Sequence, residues 1–320
     1  MLLYLLFNTF SVQNYLVKRL TTWVNDTYHT RIEVGEINYD GWTYFSLRRV
    51  NFGDQKNDTT FYAGRLQFNL IGLHLDSTKF ILNDVVLDEG LCKITTYKDG
   101  TYSLDVINLF SNPNDTSVSD PNAPPFHLEL RNLECMDTRF MYLDSTGEFF
   151  AEGFDYNRMH FYETNFRSKC FSLYDDSMVF DLKNFSTKER CGFEILRLKT
   201  QAIISPSIME FSKLDLVTPN SHLKNYFSMN SHSWDDYGNF IDRVKLKAKL
   251  VTSDVDMKDI IYFVPDLKNY HYKALISGSA KGPISNLHIK DLLANVGKHT
   301  KVKGDLNFKG LPNVEETFMD

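Results

Sequence analysis

The chain has 320 residues, 42% of them hydrophobic and 24% charged, with a formal net charge of −6. That hydrophobic content excludes a disordered chain, and an acidic balance without any basic block weighs against nucleic-acid binding. With 25 Phe and 17 Tyr, the aromatic content of 14% suits β surfaces or a wide apolar lining, on a length that is long for one compact core and ordinary for an extended or repeated one.

The N-terminus opens on "MLLYLLF", which Asn8 and Thr9 interrupt. A membrane-spanning helix needs about 20 apolar residues, and a signal peptide needs a basic start. Such a run fits a helical end packed on the domain or the tail of a membrane anchor; we read residues 1–10 as the remnant of an anchor. Residues 11–27 then place Val12, Leu16, Leu20, Trp23 and Val24 on one helical stripe, with Ser11 as N-cap. This predicts a helix that caps the first strands with Leu16, Leu20 and Trp23 inward. From Arg31 the period switches to that of strands, in "RIEVGEINYD", "TYFSLRRVNFGD", "FYAGRLQFNLIGL" and "KFILNDVVLDEGLCKITTYKDGTYSL". "DQKND" and "KDG" are turn signals. Residues 108–125, rich in Asn, Ser, Asp and Pro, read as a linker or long loop. The expected organisation is therefore a helix and a first β unit over 11–107, this linker, and further β repeats over 126–320. Short helices are expected near 254–264, capped by Ser253 or Asp254 and stopped by Pro265, and near 287–296. The abrupt ending "GLPNVEETFMD" reads as that of an N-terminal fragment.

One irregular spacing recurs among the strands. Phe45, Leu47, Val50 and Phe52 stand at offsets 0, 2, 5 and 7. The same offsets hold for Phe80, Leu82, Val85 and Leu87, for Leu128, Leu130, Leu133 and Cys135, and for Met209, Phe211, Leu214 and Leu216. A strand alternates faces with period 2. The step of 3 therefore calls for a bulge that restores the facing, or for the end of one strand and the start of another. The polar pairs at the step (Arg48-Arg49, Asn83-Asp84, Arg131-Asn132, Ser212-Lys213) suit solvent-facing positions. A second repeat sets Ile276, Gly278 and Ala280 against Val302, Gly304 and Leu306, 26 residues apart.

Signals for chemistry are sparse. Cys92, Cys135, Cys170 and Cys191 form no Cys-x-x-Cys pair, and an even count permits disulfides without arguing for them. Nine histidines fall in no metal motif; His222 and His232 are the weak candidates. "SGSAKGPIS" lacks the order of a phosphate loop. Asp175-Asp176 and Asp235-Asp236 are adjacent carboxylates that a strand would send to opposite faces. Asn-x-Ser/Thr sequons at Asn25, Asn57, Asn114 and Asn184 matter only in a secreted eukaryotic chain. Catalysis, a cofactor and a metal are not expected, and a surface glycosidase is the weakest reading. What remains is the apolar face, which is core in a closed sandwich and a ligand surface in an open groove.

The stretch from "VQNYLVKRL" through "VGEINYD", "LRRVNFGD" and "DTTFYAGRLQFNL" resembles the start of TamB-like proteins of the AsmA-like superfamily, in the form common among Bacteroidota. "LRRVNFGD" follows the family's Leu-x-x-Val-x-Val-x-Asp pattern. "DGTYSLDVINLF" and "VKGDLNFKGLPNVEETFMD" look like later landmarks, and the likeness is weaker at 140–230. The resemblance implies an extended, curled β-sheet with a taco-like apolar groove. It implies a protein anchored in the inner membrane, lying in the periplasm of a Gram-negative envelope, that conducts phospholipid acyl chains toward the outer membrane. An outer-membrane barrel partner would meet a C-terminal region not contained in these residues. On this reading Phe80, Leu82, Val85, Leu87, Leu128, Leu130, Met209, Phe211, Leu214 and Leu216 line the groove. The alternative is a structural or assembly scaffold for outer-membrane proteins, with the apolar face as ordinary core.

Overall fold

The structure, a computed structural model, describes residues 10–28, 30–40, 43–74, 79–105, 127–297, 299–311 and 317–319. The 1–9 part of the expected anchor remnant and the 108–125 linker lie outside the described residues. Among the described residues no helix is long and apolar enough to cross a membrane.

The alternating segments form strands β1 (Arg31–Asp40), β2 (Tyr44–Gly53), β3 (Thr59–His74), β4 (Lys79–Thr96), β5 (His127–Asp144), β6 (Arg158–Tyr174), β7 (Ser177–Glu189), β8 (Glu194–Ile195), β9 (Arg197–Ile204), β10 (Ile208–Val217), β11 (His222–Asn230), β12 (Lys245–Asp256), β13 (Lys273–Gly282), β14 (Asn286–Val296), β15 (Thr300–Lys309) and β16 (Phe318–Met319). The fold is mainly β, one open sheet whose strands follow chain order from β1 to β16, with β8 set beside β7. Neighbours pair antiparallel in nearly every resolved register, except β4 and β5, which are parallel. A parallel neighbour needs a connection that returns the chain to the start of the strand, and residues 97–126 separate these two. The chain divides into two compact units, residues 1–167 with 187–192, and residues 168–186 with 193–320.

In the first unit, helix α1 (Phe10–Tyr28) lies along β1, the edge strand. It docks through amides rather than through the apolar stripe. The Asn25 side chain accepts from Ile32 N at 2.8 Å and donates to Ile32 O at 2.9 Å. Asn14 accepts from Ile37 N, and Gln13 both accepts from Tyr39 N and donates to Tyr39 O. Leu20 and Trp23 are 58% and 56% exposed, which corrects the expected inward facing; the side chain of Leu16 lies outside the description. The reason is what β1 offers: a row of unpaired backbone groups that must find partners. Buried Gln13 and half-buried residues 14, 17, 21, 24 and 25 form the inward stripe instead. Asn25→Ala leaves both backbone groups of Ile32 without these partners, and we expect a loss of about 2 kcal/mol in urea unfolding, with little change for Arg19→Ala on the opposite side.

The step of 3 is a bulge with a left-handed residue. Arg49, Asp84 and Lys213, the second members of three polar pairs, have φ of 52°, 50° and 52°. Each is exposed, and the next residue (Val50, Val85, Leu214) is buried. At Arg131-Asn132 the strand instead follows its neighbour: Leu82↔Leu130 and Val85↔Leu133 skip two residues together, and the Asn132 amide donates to Asp84 at 2.9 Å. Further left-handed residues, Glu89, Asp137, Glu163, Thr252 and Asp291, repeat this exposed-then-buried step. A bulge unpairs backbone groups, and small polar side chains take them up. Thr138 Oγ1 donates to Thr164 O at 3.0 Å, Ser253 Oγ accepts from Lys224 N at 3.0 Å, and Thr200 Oγ1 donates to Ser212 O at 2.8 Å.

In the second unit the expected helix near 254–264 is present as α3 (Met257–Ile260), capped by Asp256; Pro265 opens a 3-10 turn (Pro265–Asn269) rather than ending the helix. A further 3-10 turn (Trp234–Asn239) runs into α2 (Phe240–Arg243). The expected helix near 287–296 is strand β14, a correction. Asp291 is left-handed there, so the step from Ile289 to Leu292 is that of a bulged strand, which mimics helical spacing. The second repeat falls into register across β14: Ile276 and Val302 both face Ala294, and Ala280 and Leu306 both face Ile289. Asp259, 6% exposed, ties α3 to the β10–β11 turn by accepting from Thr218 Oγ1, Ser221 Oγ and the Asn220 amide at 2.6, 2.5 and 2.9 Å. Asp259→Ala strands these donors, and we expect a loss of about 3 kcal/mol in a thermal melt.

Candidate functional site

Because the bulges restore facing, the apolar repeats within each unit share one face of its strands. In the first unit Phe45↔Phe68, Leu47↔Leu66, Val50↔Ala63 and Phe52↔Phe61 link β2 to β3. Leu70↔Leu82 and Leu66↔Leu87 continue to β4. The two repeats on β4 and β5 then match member for member: Phe80↔Leu128, Leu82↔Leu130, Val85↔Leu133 and Leu87↔Cys135. The second unit builds the same kind of face. Met209↔Met229, Phe211↔Phe227 and Leu216↔Leu223 link β10 to β11. Phe227↔Ala248 and Ala248↔Ala280 carry it to β12 and β13.

The ten expected lining residues therefore lie on β4, β5 and β10, four and two of them in the first unit and four in the second. Within each unit the structure brings its own set together. Val85, Leu130 and Leu214 are each 7% exposed and serve packing. Phe80, Leu82, Leu87, Leu128, Met209, Phe211 and Leu216 are half-buried. Among the described residues only 11 apolar side chains are buried, against 20 polar or charged ones. A sandwich core would bury most of its inner-face residues; here the face stays reachable. In the first unit it holds a concavity of about 270 Å³ between Leu87, Gly90, Leu133, Cys135, Phe140 and Phe166. Sequence reading missed Phe140, Phe166, Phe227 and Met229 as members of this face; Phe227 and Met229 stand in register opposite the repeat and Phe140 and Phe166 border its concavity, neither of which spacing along one strand carries.

Cys92 and Cys135 lie beside this concavity, and burial pushes the Cys135 thiol up to about 11 and the Cys92 thiol upward as well. All four cysteines are free thiols. Neutral, half-buried thiols of this kind present apolar surface and react slowly.

The opposite face of the first unit is polar, and several of its charges are paired. Arg65 and Asp88 are cross-strand partners 3.0 Å apart, Lys93 meets Asp58 at 2.5 Å, and Lys79 meets Glu129 at 2.6 Å. The Lys79 hydrogen bond holds the Glu129 carboxyl below the usual carboxylate range, against the opposing pull of burial. At Asp215 burial pulls upward, and His222 at 2.6 Å and Arg197 at 3.0 Å overcome it and hold the carboxyl low. A carboxyl lowered by folding adds stability above its unfolded pKa of about 4, and that stability is lost as pH falls through the folded value. We expect stability to be flat from about pH 6 to pH 5 and to fall below about pH 4, with a shallower fall in Lys79→Met, measured by urea unfolding across pH.

Among the described residues no group of three or more His, Cys, Asp or Glu side chains comes together to hold a metal. His222 and His232 are each engaged by a carboxylate, Asp215 and Asp236 respectively. The buried carboxylates close turns. Glu189 accepts from His160 N at 3.0 Å and Cys191 N at 2.6 Å, and Asp155 accepts from Asn157 N at 3.0 Å. Comparison with protein-family models, with curated proteins and with solved structures finds no match.

Proposed function

We propose that the apolar face carries phospholipid acyl chains, in a bridge-like protein anchored in the inner membrane that passes lipid through the periplasm toward the outer membrane. The observation that carries this reading is the registry of the repeats: half-exposed apolar side chains stand in columns across neighbouring strands, unit by unit. Moving an acyl CH₂ from water onto such a surface is worth about 0.8 kcal/mol. A continuous lining lets a chain slide with little change in energy along the way. The role is binding and conduction, with no bond made or broken and no cofactor needed. The resemblance to TamB-like proteins supports the anchor, the envelope location and a barrel partner. The assembly-scaffold reading treats the same face as core and has Val50, Val85, Leu130 and Leu214 as buried members of the repeat in its favour.

Cys135 supplies a test at the lining itself. In Cys92→Ser/Cys170→Ser/Cys191→Ser protein, phospholipid should slow alkylation of Cys135 by a membrane-permeant maleimide several-fold at mildly alkaline pH. An unchanged rate, in protein that remains folded, would contradict lipid occupancy of this face.

A further inference from the structure

On the polar face of the second unit, the β12–β14 part carries lysines without an ion-pair partner among the described residues. Lys245, Lys247 and Lys249 alternate with Leu246 and Ala248 along β12, so all three lie on the face opposite the apolar one. Lys247 stands directly across from Lys281 on β13, and Lys281 from His288 on β14. Lys249 stands across from Ser279, and Ser279 from Lys290. Five lysines on three adjacent strands are thus exposed side by side. Among the described residues none of them has a carboxylate within ion-pair distance. Like charges directly opposed across strands are destabilising, and among the described residues no carboxylate within ion-pair distance offsets them.

Composition sharpens the contrast. Residues 245–309 hold 12 Lys and 6 Asp, a net charge of +6, so the other residues sum to −12 within the total of −6. None of the basic residues in 245–309 is Arg. Arginine serves bidentate phosphate recognition, whereas lysine is a hydrated point charge suited to diffuse attraction. Single-stranded nucleic acid calls for aromatic stacking platforms, and the aromatic ring beside these lysines is Tyr226, already covered by Lys247 at 5.5 Å. Of the flanking acids, Asp254 lies 3.9 Å from Lys273, and Asp305 accepts from Asp291 N at 2.9 Å.

We propose that the lysine face of β12–β14 docks on the surface of an anionic phospholipid bilayer. The choice of a bilayer rests on the lipid-carrying reading; the electrostatic patch stands without it. An exposed row of ammonium groups on a sheet meets many headgroups at once, and each lysine near an anionic surface adds attraction that salt screens.

The test uses the full chain and sedimentation with vesicles of phosphatidylglycerol and phosphatidylethanolamine, or of phosphatidylcholine alone. We expect binding to the anionic vesicles only, weakening as salt rises from about 0.05 to about 0.5 M. Lys247→Glu/Lys249→Glu/Lys281→Glu should weaken it on the order of 100-fold with unchanged circular dichroism. Uptake of a fluorescent acyl probe by the other face should be untouched in that variant. Equal binding to neutral vesicles, an unaltered affinity of the triple variant, or binding to duplex DNA without vesicle binding would overturn the proposal. Loss of probe uptake in the wild-type chain with anionic-vesicle binding intact would instead sink the conduction reading and leave this one standing.

Discussion

Replacing Leu130 by Asp is expected to unfold the first unit, whereas Leu82→Asp should leave it folded and stop lipid passage. The two residues are cross-strand partners on one face, yet Leu130 is 7% exposed and Leu82 is half-buried. A charge at Leu130 is cut off from water and unpaired, at a cost of about 4 kcal/mol. At Leu82 the carboxylate keeps part of its hydration, so the loss should be about 1–2 kcal/mol. A charge there also interrupts the lining that the proposed acyl-chain passage needs. Thermal melts of both variants, beside an outer-membrane barrier assay in cells carrying the same changes, separate the effects. If Leu82→Asp folded and the barrier stayed intact, this stretch of the face would not conduct lipid. If Leu82→Asp unfolded as Leu130→Asp does, the face would be a closed core.

The second large effect is expected at Gly282, the last residue of β13. Its φ of 127° lies where side chains are rarely found, and a Cβ would sit 2.3 Å from the Asn286 carbonyl oxygen. That oxygen is held in the turn by Asn286 N donating to Pro283 O at 3.0 Å, so it has little room to move. Gly282→Ala should therefore cost about 3 kcal/mol or more, read as a shift of the urea midpoint. Gly304 also has positive φ, 150°, but nothing lies within 4 Å of a Cβ there. Gly304→Ala should cost only about 1 kcal/mol. Equal losses at the two sites would show that backbone conformation alone, and not the close approach, sets the requirement for glycine.

Much of the sheet was legible because its signals are local. The period of 2 along "RIEVGEINYD" falls on β1, Arg31–Asp40. The offset of 3 at Arg48-Arg49, Asn83-Asp84 and Ser212-Lys213 marked the left-handed bulges, because a polar residue tolerates exposure while the following apolar one returns to the face. Three features were not legible, each for a physical reason. The parallel match of Phe80, Leu82, Val85 and Leu87 to Leu128, Leu130, Leu133 and Cys135 is a pairing between distant segments, and shared offsets do not say which strands meet. The stripe of Leu16, Leu20 and Trp23 outweighed Gln13, Asn14 and Asn25 in the reading, although an edge strand needs amides more than it needs apolar cover. The bulge at Asp291 made a strand look helical.

The lysine face was hidden by the bulk charge. A chain of net −6 reads as acidic throughout, while residues 245–309 alone sum to +6. Alternation of Lys with Leu and Ala in "KLKAKL" showed a strand, but the coincidence of three strands' lysines needs the registers of β12, β13 and β14.

Site-specific photo-crosslinking addresses the apolar face most directly. A photoreactive amino acid at Leu82 in the first unit and at Phe211 in the second places the probe on that face, and at Asp84 and Lys213 it places the probe at exposed bulge positions of the same strands. In cells, the expected result is phospholipid captured at Leu82 and Phe211 and little at Asp84 or Lys213. Equal capture at all four positions, or none at Leu82 and Phe211 in folded protein, would contradict a lipid-carrying face.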